Sequence, residues 1–301
     1  MQGKIIKGVG GFYYIHLHSC NQTNKTDNDA LYECKAKGIF RNKKIKPAVG
    51  DDVEIDIISE EEHTGNIVEI LERKNLLIRP AVANVDQAMI IFAIKEPDPN
   101  FNLLDRFLIM MEQQSVETMI CFNKIDLVDS KAIDNSVEAY KKSGHKVFVT
   151  STYDNKGIEE LISRLKGRTT VLAGPSGVGK SSLLNSIGKD VCVKTGEISE
   201  KIKRGKHTTR HSELMHIGED TYIMDTPGFS SLVVEDIEPE NLREYYSEFD
   251  CYTGSCRFNG CVHINEPDCA VKEALEKGAI SKIRYDNYKQ IYEEIKNIRR
   301  W

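Results

Sequence analysis

Up to about residue 71 the apolar positions fall in short alternating runs, at 4–7, 11–17, 31–36, 52–58 and 66–70, separated by glycine and polar turns. Alternation marks half-buried strands, and five of them with glycine-rich breaks predict a small β-barrel of the oligonucleotide-binding (OB) type. Strand count alone fits other small barrels equally well. The polar stretch at 21–29 reads as a loop between two strands.

From residue 85 the rhythm changes. Continuous apolar runs at 88–94, 117–123, 146–150, 170–173 and 222–224 alternate with helical stretches at 103–114, 131–143, 158–165 and from Lys180 onward. Strand–helix alternation predicts a parallel sheet with βα crossovers, whose ligand belongs at the carboxyl ends of the strands. Beyond about residue 235 the pattern is helical. Tyr288, Ile291, Tyr292, Ile295 and Ile298 recur there at spacings of three and four and make one apolar helix face. We find no internal repeat. With 301 residues the chain has room for several domains, and the changes of pattern divide it at 1–71, 72–235 and 236–301.

No apolar run is long enough to span a bilayer, and the N-terminus lacks the apolar stretch and cleavage site of a signal peptide, so a cytoplasmic protein with no membrane partner is expected. The net charge of −5 gives no overall basic signature. The segment KIKRGKHTTR, residues 201–210, holds five Lys or Arg in ten, so any nucleic-acid contact is local.

Two motifs carry specific chemistry. Gly174-Pro175-Ser176-Gly177-Val178-Gly179-Lys180-Ser181-Ser182 follows an apolar strand and opens a helix. Its glycines let backbone N–H groups curl around phosphates, Lys180 reaches the β and γ oxygens, and the Ser181 hydroxyl is a Mg²⁺ ligand. Asn123-Lys124-Ile125-Asp126 ends another apolar strand. A carboxylate at Asp126 can accept from both N1–H and the exocyclic amine of guanine, a donor pair that adenine lacks on that edge. Asn123 can bond the N7 and O6 side, and the Lys124 stem can lie along the ring. Taken alone this tetrapeptide could be a capped polar turn; beside the phosphate loop it points to GTP. Thr150-Ser151-Thr152 ends the next strand, where Ser151 and Thr152 are candidates for a weaker base contact.

Asp225-Thr226-Pro227-Gly228 closes the strand at 222–224. Asp225 there can hold Mg²⁺ through water, and the Gly228 N–H can sense the γ-phosphate. Thr209 in the basic loop is the preferred further Mg²⁺ contact, with Thr208 its competitor. The guanine-reading motif precedes the phosphate loop, the reverse of the standard order. Joining the old termini and opening new ones gives the same sheet, so a circular permutation follows.

Four of the eight cysteines are scattered (Cys20, Cys34, Cys121, Cys192), and four cluster at Cys251, Cys256, Cys261 and Cys269. In a reducing compartment such a cluster points to metal rather than disulfides. Cys256, Cys261, His263 and Cys269 offer three thiolates and an imidazole, the donor set of a closed structural Zn²⁺ site, with Cys251 in reserve. Unligated buried cysteines are the alternative.

Together, NKID, GPSGVGKSS, GKHTTR, DTPGF, CRFNGCVHINEPDCAV and the stretch at 79–87 resemble the bacterial circularly permuted family of ribosome small-subunit-dependent GTPase A. The resemblance covers nearly the whole chain. It implies an OB barrel and a zinc domain flanking the GTPase and docking on 16S rRNA, where the enzyme assists late maturation of the 30S subunit. It further implies a slow GTPase stimulated by the small subunit, and a monomer is expected. Phe229 follows D-x-P-G where many GTPases have a water-orienting Gln, and an apolar ring cannot position water. The resemblance points to His207 for that task; its alternative is an RNA-phosphate contact within the basic segment. Two departures stand out: Pro175 replaces a frequent Gln, and the loop at 20–30 is enlarged. The rival functions are an RNA-binding module that holds GTP only structurally and a P-loop ATPase of nucleic-acid transactions.

Overall fold

A computed structural model of the chain describes residues 1–18, 31–38, 40, 46–78, 81–195, 213–218, 220–225 and 232–297. The loop at 21–29 with the whole enlarged segment at 20–30, the basic segment at 201–210 with His207, Thr208 and Thr209, and Thr226, Pro227, Gly228, Phe229 and Ile298 lie outside those residues. The chain forms two compact units, one of residues 1–88, 159–172 and 181–227, the other of 89–158, 173–180 and 228–301.

In the first unit, strands β1 (Gln2–Val9), β2 (Phe12–Leu17), β3 (Leu31–Ala36), β4 (Asp52–Ser59) and β5 (Thr64–Ile70) close into a barrel of order β1-β2-β3-β5-β4. All pairs are antiparallel except β3 with β5. The alternating positions Ile5, Ile15, Cys34, Val53, Ile55 and Ile67 fill the interior together with Tyr32 and Phe40. The β1–β2 hairpin turns on Gly10 (φ +61°) and Gly11 (φ +88°), the left-handed pair that a two-residue turn requires.

A short hairpin follows, of β6 (Leu76–Leu77) and β7 (Val82–Ala83), two strands the sequence pattern does not announce. A Cβ at Gly50 would lie 2.1 Å from the Ala83 oxygen, so only glycine lets the barrel approach this hairpin. Asp51, fully buried beside it, accepts from Arg73 Nε at 2.6 Å and Nη2 at 2.8 Å.

The remaining expected strands are present as β8 (Gln87–Ala93), β9 (Glu117–Asn123), β10 (Lys146–Thr150), β11 (Thr169–Ala173) and, after β12 (Leu214–His216), β13 (Tyr222–Asp225). In the first unit β13 runs parallel to β11 and antiparallel to β12. The barrel meets β13 there: His16 Nδ1 and the Tyr222 hydroxyl share a 2.8 Å hydrogen bond, and Lys4 Nζ stands over the Tyr222 ring. Helices α1 (Phe101–Gln113), α2 (Ser130–Lys141), α3 (Ile158–Leu165) and α4 (Lys180–Thr195) fall where periodicity places them, within one to two residues at the ends resolved by the pattern.

In the second unit β9 lies between β8 and β10, with Asn123 of β9 opposite Thr150 of parallel β10. Every residue of β8 is buried, as a strand covered on both faces requires. The C-terminal region supplies two 3₁₀ segments (Pro239–Tyr245 and Ser247–Tyr252), α5 (Ala270–Glu276) and α6 (Lys282–Asn297). Tyr288, Ile291, Tyr292 and Ile295 are buried along one face of α6, as their spacing predicts. Tyr246, Phe249 and Tyr288 pack ring against ring, with centroids 5.1–5.4 Å apart.

Candidate functional site

Strand β11 ends at Ala173, and the chain then curls through residues 174–179 into α4. Gly174, Gly177 and Gly179 all have positive φ. At two of them a neighbour also forbids a side chain: a Cβ at Gly174 would lie 2.1 Å from the Ile91 oxygen, and one at Gly179 2.4 Å from Asn123 Nδ2. Val178 is buried, Ser176 is exposed and Pro175 is half-buried, so the loop is pinned by one apolar side chain and otherwise faces outward. Lys180, the first residue of α4, is buried and turned back across its own loop, donating to the Gly174 oxygen at 2.9 Å and the Pro175 oxygen at 2.7 Å. The ammonium therefore sits within the ring of loop amides that would surround a polyphosphate. Ser181 and Ser182 are exposed in the first turn of α4.

The Asn123–Asp126 turn meets this loop through one amide. Asn123, fully buried at the end of β9, donates from Nδ2 to the Val178 oxygen at 3.0 Å and accepts from Thr150 Oγ1 at 3.0 Å. The sequence suggests a base contact for Asn123; the structure gives it this further job of tying the phosphate loop to the ends of β9 and β10. An amide nitrogen carries two hydrogens, so the bond to Val178 leaves one for a base. Lys124 is in the left-handed conformation (φ +64°), and its ammonium donates to the Glu96 oxygen. Its stem runs beside Gly179, with Cε 3.9 Å from where a Cβ would stand. Ile125 opens a short 3₁₀ turn, Ile125–Leu127, that presents Asp126 exposed.

Ser151 takes a role that sequence reasoning missed. Its buried hydroxyl donates to Asp126 Oδ1 at 2.6 Å and accepts from the Asp154 N–H at 3.1 Å. Ser151 thus aims the carboxylate, while Thr152 is half-buried in the turn that follows. Asp225 ends β13 in the first unit, at the carboxyl end where the parallel sheet predicts ligands.

The Cys/His cluster forms in the second unit. One donor atom from each of Cys256, Cys261, His263 and Cys269 lies within 4.8 Å of all the others. His263 Nδ1 faces the sulfurs, 3.4 Å from Cys269 Sγ and 3.6 Å from Cys256 Sγ. Gly260, His263 and Asp268 are left-handed, which folds the loop inward around them. Three consecutive carbonyls hold it in place: Cys261 accepts from Arg243 Nη1 at 2.7 Å, Val262 from the Tyr288 hydroxyl at 2.7 Å and His263 from the Tyr285 hydroxyl at 2.6 Å. Glu266 clasps the same turn, accepting from the Val262 and Ile264 N–H groups. Burial pushes the Cys261 thiol up to about 12 and holds the His263 imidazole below its usual value. A divalent soft-ligand cation reverses that preference by binding thiolates and neutral imidazole, and the four donors could hold Zn²⁺. Cys251 is exposed and outside the set.

Comparison with known proteins gives a consistent picture. A family model described as the RsgA GTPase matches residues 70–235, and one described as the RsgA N-terminal domain matches residues 2–67. The small ribosomal subunit biogenesis GTPase RsgA of Agathobacter rectalis is 57% identical over 298 residues, which covers 99% of each chain. Its counterpart in Alkaliphilus metalliredigens is 48% identical over 300 residues, covering 100% of this chain and 99% of its own. Among solved structures, YloQ, a circularly permuted GTPase, superposes with a TM-score of 0.79 at 38% identity, covering 100% of this chain and 96% of its own. YjeQ from Thermotoga maritima does so with a TM-score of 0.79 at 36% identity, covering 99% of each chain.

Proposed function

The chain belongs to the RsgA GTPase family, and from that premise we propose that it hydrolyses GTP in a cycle of binding to and release from the small ribosomal subunit during late 30S maturation. The observation that carries this reading is the buried Asn123 amide, which joins the guanine-reading strand end to the phosphate loop at 3.0 Å and makes one site of two motifs. In that site Asp126, aimed by Ser151, reads the guanine edge, with Asn123 and the backbone at Ile125 and Thr152 around the base. The N–H groups of residues 174–179 and of Ser181 and Ser182 cradle the phosphates. Lys180 exchanges its loop carbonyls for the β and γ oxygens. Ser181, Asp225 and Thr209 would hold Mg²⁺, which would offset phosphate charge, and the Gly228 N–H senses the γ-phosphate.

Residues 1–71 serve as an OB-type RNA-binding domain, 72–235 as the GTPase and 236–301 as the zinc-binding domain, the outer two against 16S rRNA. The protein acts as a cytoplasmic monomer without a membrane partner. No described helix is long and apolar enough to cross a membrane. His207 orients the attacking water, because the apolar Phe229 stands where a Gln would do so.

Phosphate release measured alone, with 30S and with 50S subunits tests the whole reading: 30S accelerates it and 50S does not. Equal effects of the two subunits would remove the small subunit as partner. His207→Ala lowers kcat at saturating 30S by about 10²–10⁴-fold while 30S binding stays near normal. An intact kcat with salt-sensitive loss of 30S binding would move His207 to an RNA-phosphate contact.

A further inference from the structure

Tyr153 is 87% exposed, the most exposed of the large apolar side chains among the described residues. It does not sit on a loose loop. Ser151 and Lys156 exchange both backbone hydrogen bonds across the turn, N–H to O at 3.1 and 3.0 Å, and the Asp154 N–H is held by Ser151 Oγ. Gly157 then packs so closely that a Cβ there would lie 2.1 Å from the Val149 oxygen. The turn's base is fixed to the guanine reader itself by the 2.6 Å bond from Ser151 to Asp126. A rigid turn thus holds an aromatic ring in solvent two residues from the group that orients the base-reading carboxylate. Exposing such a ring forgoes the burial an aromatic usually finds, and a planar purine held by Asp126 would supply it.

We propose that Tyr153 stacks on the guanine ring, closing the face opposite the Lys124 stem. This rests on the guanine reading above and deepens it. The Lys124 stem runs beside Gly179 on the phosphate-loop side, whereas the turn at 152–155 rises from the end of β10. Stacking is indifferent to the substituents of the purine, so the ring adds affinity and leaves the choice of base to Asp126.

Calorimetric titration of GDP, IDP and ADP tests this. IDP lacks the exocyclic amine and so reports on the Asp126 contact. Tyr153→Ala raises the Kd for GDP and IDP by the same factor, on the order of tenfold, and Tyr153→Phe stays within about twofold of wild type. A loop that had merely come apart would also erase the preference for GDP over IDP, which the stacking role leaves unchanged. In a Trp301→Phe background, Tyr153→Trp gives emission that GDP quenches and ADP at the same concentration does not. An unchanged GDP affinity in Tyr153→Ala, with wild type still preferring GDP to ADP, overturns the stack while leaving the guanine reading intact. So does a selective loss of 30S binding, which would assign the ring to the particle. Wild-type indifference between GDP and ADP would overturn the guanine reading and this inference with it.

Discussion

Replacing Arg284 by methionine removes the one cation from a buried knot that joins the nucleotide core to the C-terminal helix. Arg284 of α6 is 1% exposed. Its Nη1 donates to Asp105 Oδ1 of α1 at 2.6 Å, and its Nε and Nη2 form a fork on Glu248 at 2.8 and 3.1 Å. The guanidinium also lies 4.4 Å from the centre of the Tyr246 ring. Methionine fills much of the volume but leaves two buried carboxylates facing one another, and breaking a buried ion pair in this way costs about 3–5 kcal/mol. The penalty depends on pH. Burial pushes the Asp105 carboxyl up, and Arg284 is the strongest of the groups, with Asn287 and Tyr140, that pull it back. Without Arg284 the folded-state pKa rises further above its unfolded value near 3.9, so the folded variant takes up a proton. Such a group loses stability as pH rises from the unfolded toward the folded pKa, so the deficit is smallest near the unfolded value and grows as pH rises above it. Urea unfolding of wild type and Arg284→Met, compared at pH 5 and again at pH 8, reads both effects. Adding Asp105→Asn removes the stranded charge and should recover part of the loss and most of its pH dependence. A deficit under about 1 kcal/mol at pH 8, or one equal at both pH values, would refute the reasoning.

Two further outcomes follow from the site. Asp126→Asn weakens GTP and admits xanthine nucleotide, whose C2 carbonyl accepts from the new amide; competition binding checks it, and unchanged GTP preference would remove Asp126 from base reading. Purified protein contains one Zn²⁺ per chain by elemental analysis, and Cys261→Ser or His263→Ala lowers the unfolding midpoint while GDP affinity is largely kept; metal-free protein of full stability would count against the site.

The chemistry was legible in the sequence because phosphate and guanine recognition each demand fixed residue types at fixed spacing. The barrel was legible because its strands alternate and because Gly10-Gly11 has a turn chemistry of its own. What escaped is short or distant. β12 has three residues, Leu-Met-His, and β6 and β7 have two each, too few for any period to register. The bond from Ser151 to Asp126 spans 25 positions and that from Asn123 to Val178 spans 55, so nothing local announces either. Arg284 misleads for a further reason. Arg284 stands four, seven and eleven positions before Tyr288, Ile291 and Ile295, in line with the buried stripe of α6, yet a guanidinium contributes nothing to an apolar pattern, and only the meeting of Asp105 and Glu248 from distant segments makes its burial tolerable.

The permuted order bears on why the phosphate loop needs its glycines. Phosphate approach is one reason, but the structure supplies another that needs no ligand. Gly174 lies against the Ile91 oxygen of β8 and Gly179 against the Asn123 amide of β9, both on strands that precede the loop along the chain. A methyl group at either place would meet backbone or a buried amide at 2.1 or 2.4 Å and push the loop off the strand ends. Such constraints depend on which atoms meet and not on the order in which the chain visits them. Asn123 makes the dependence mutual: its Nδ2 holds the Val178 oxygen at 3.0 Å while the same atom leaves room only for a glycine at 179. The turn at 123–126 and the loop at 174–179 are therefore fitted to one another through this amide, a fit that depends on which atoms meet and not on where the chain is cut and rejoined.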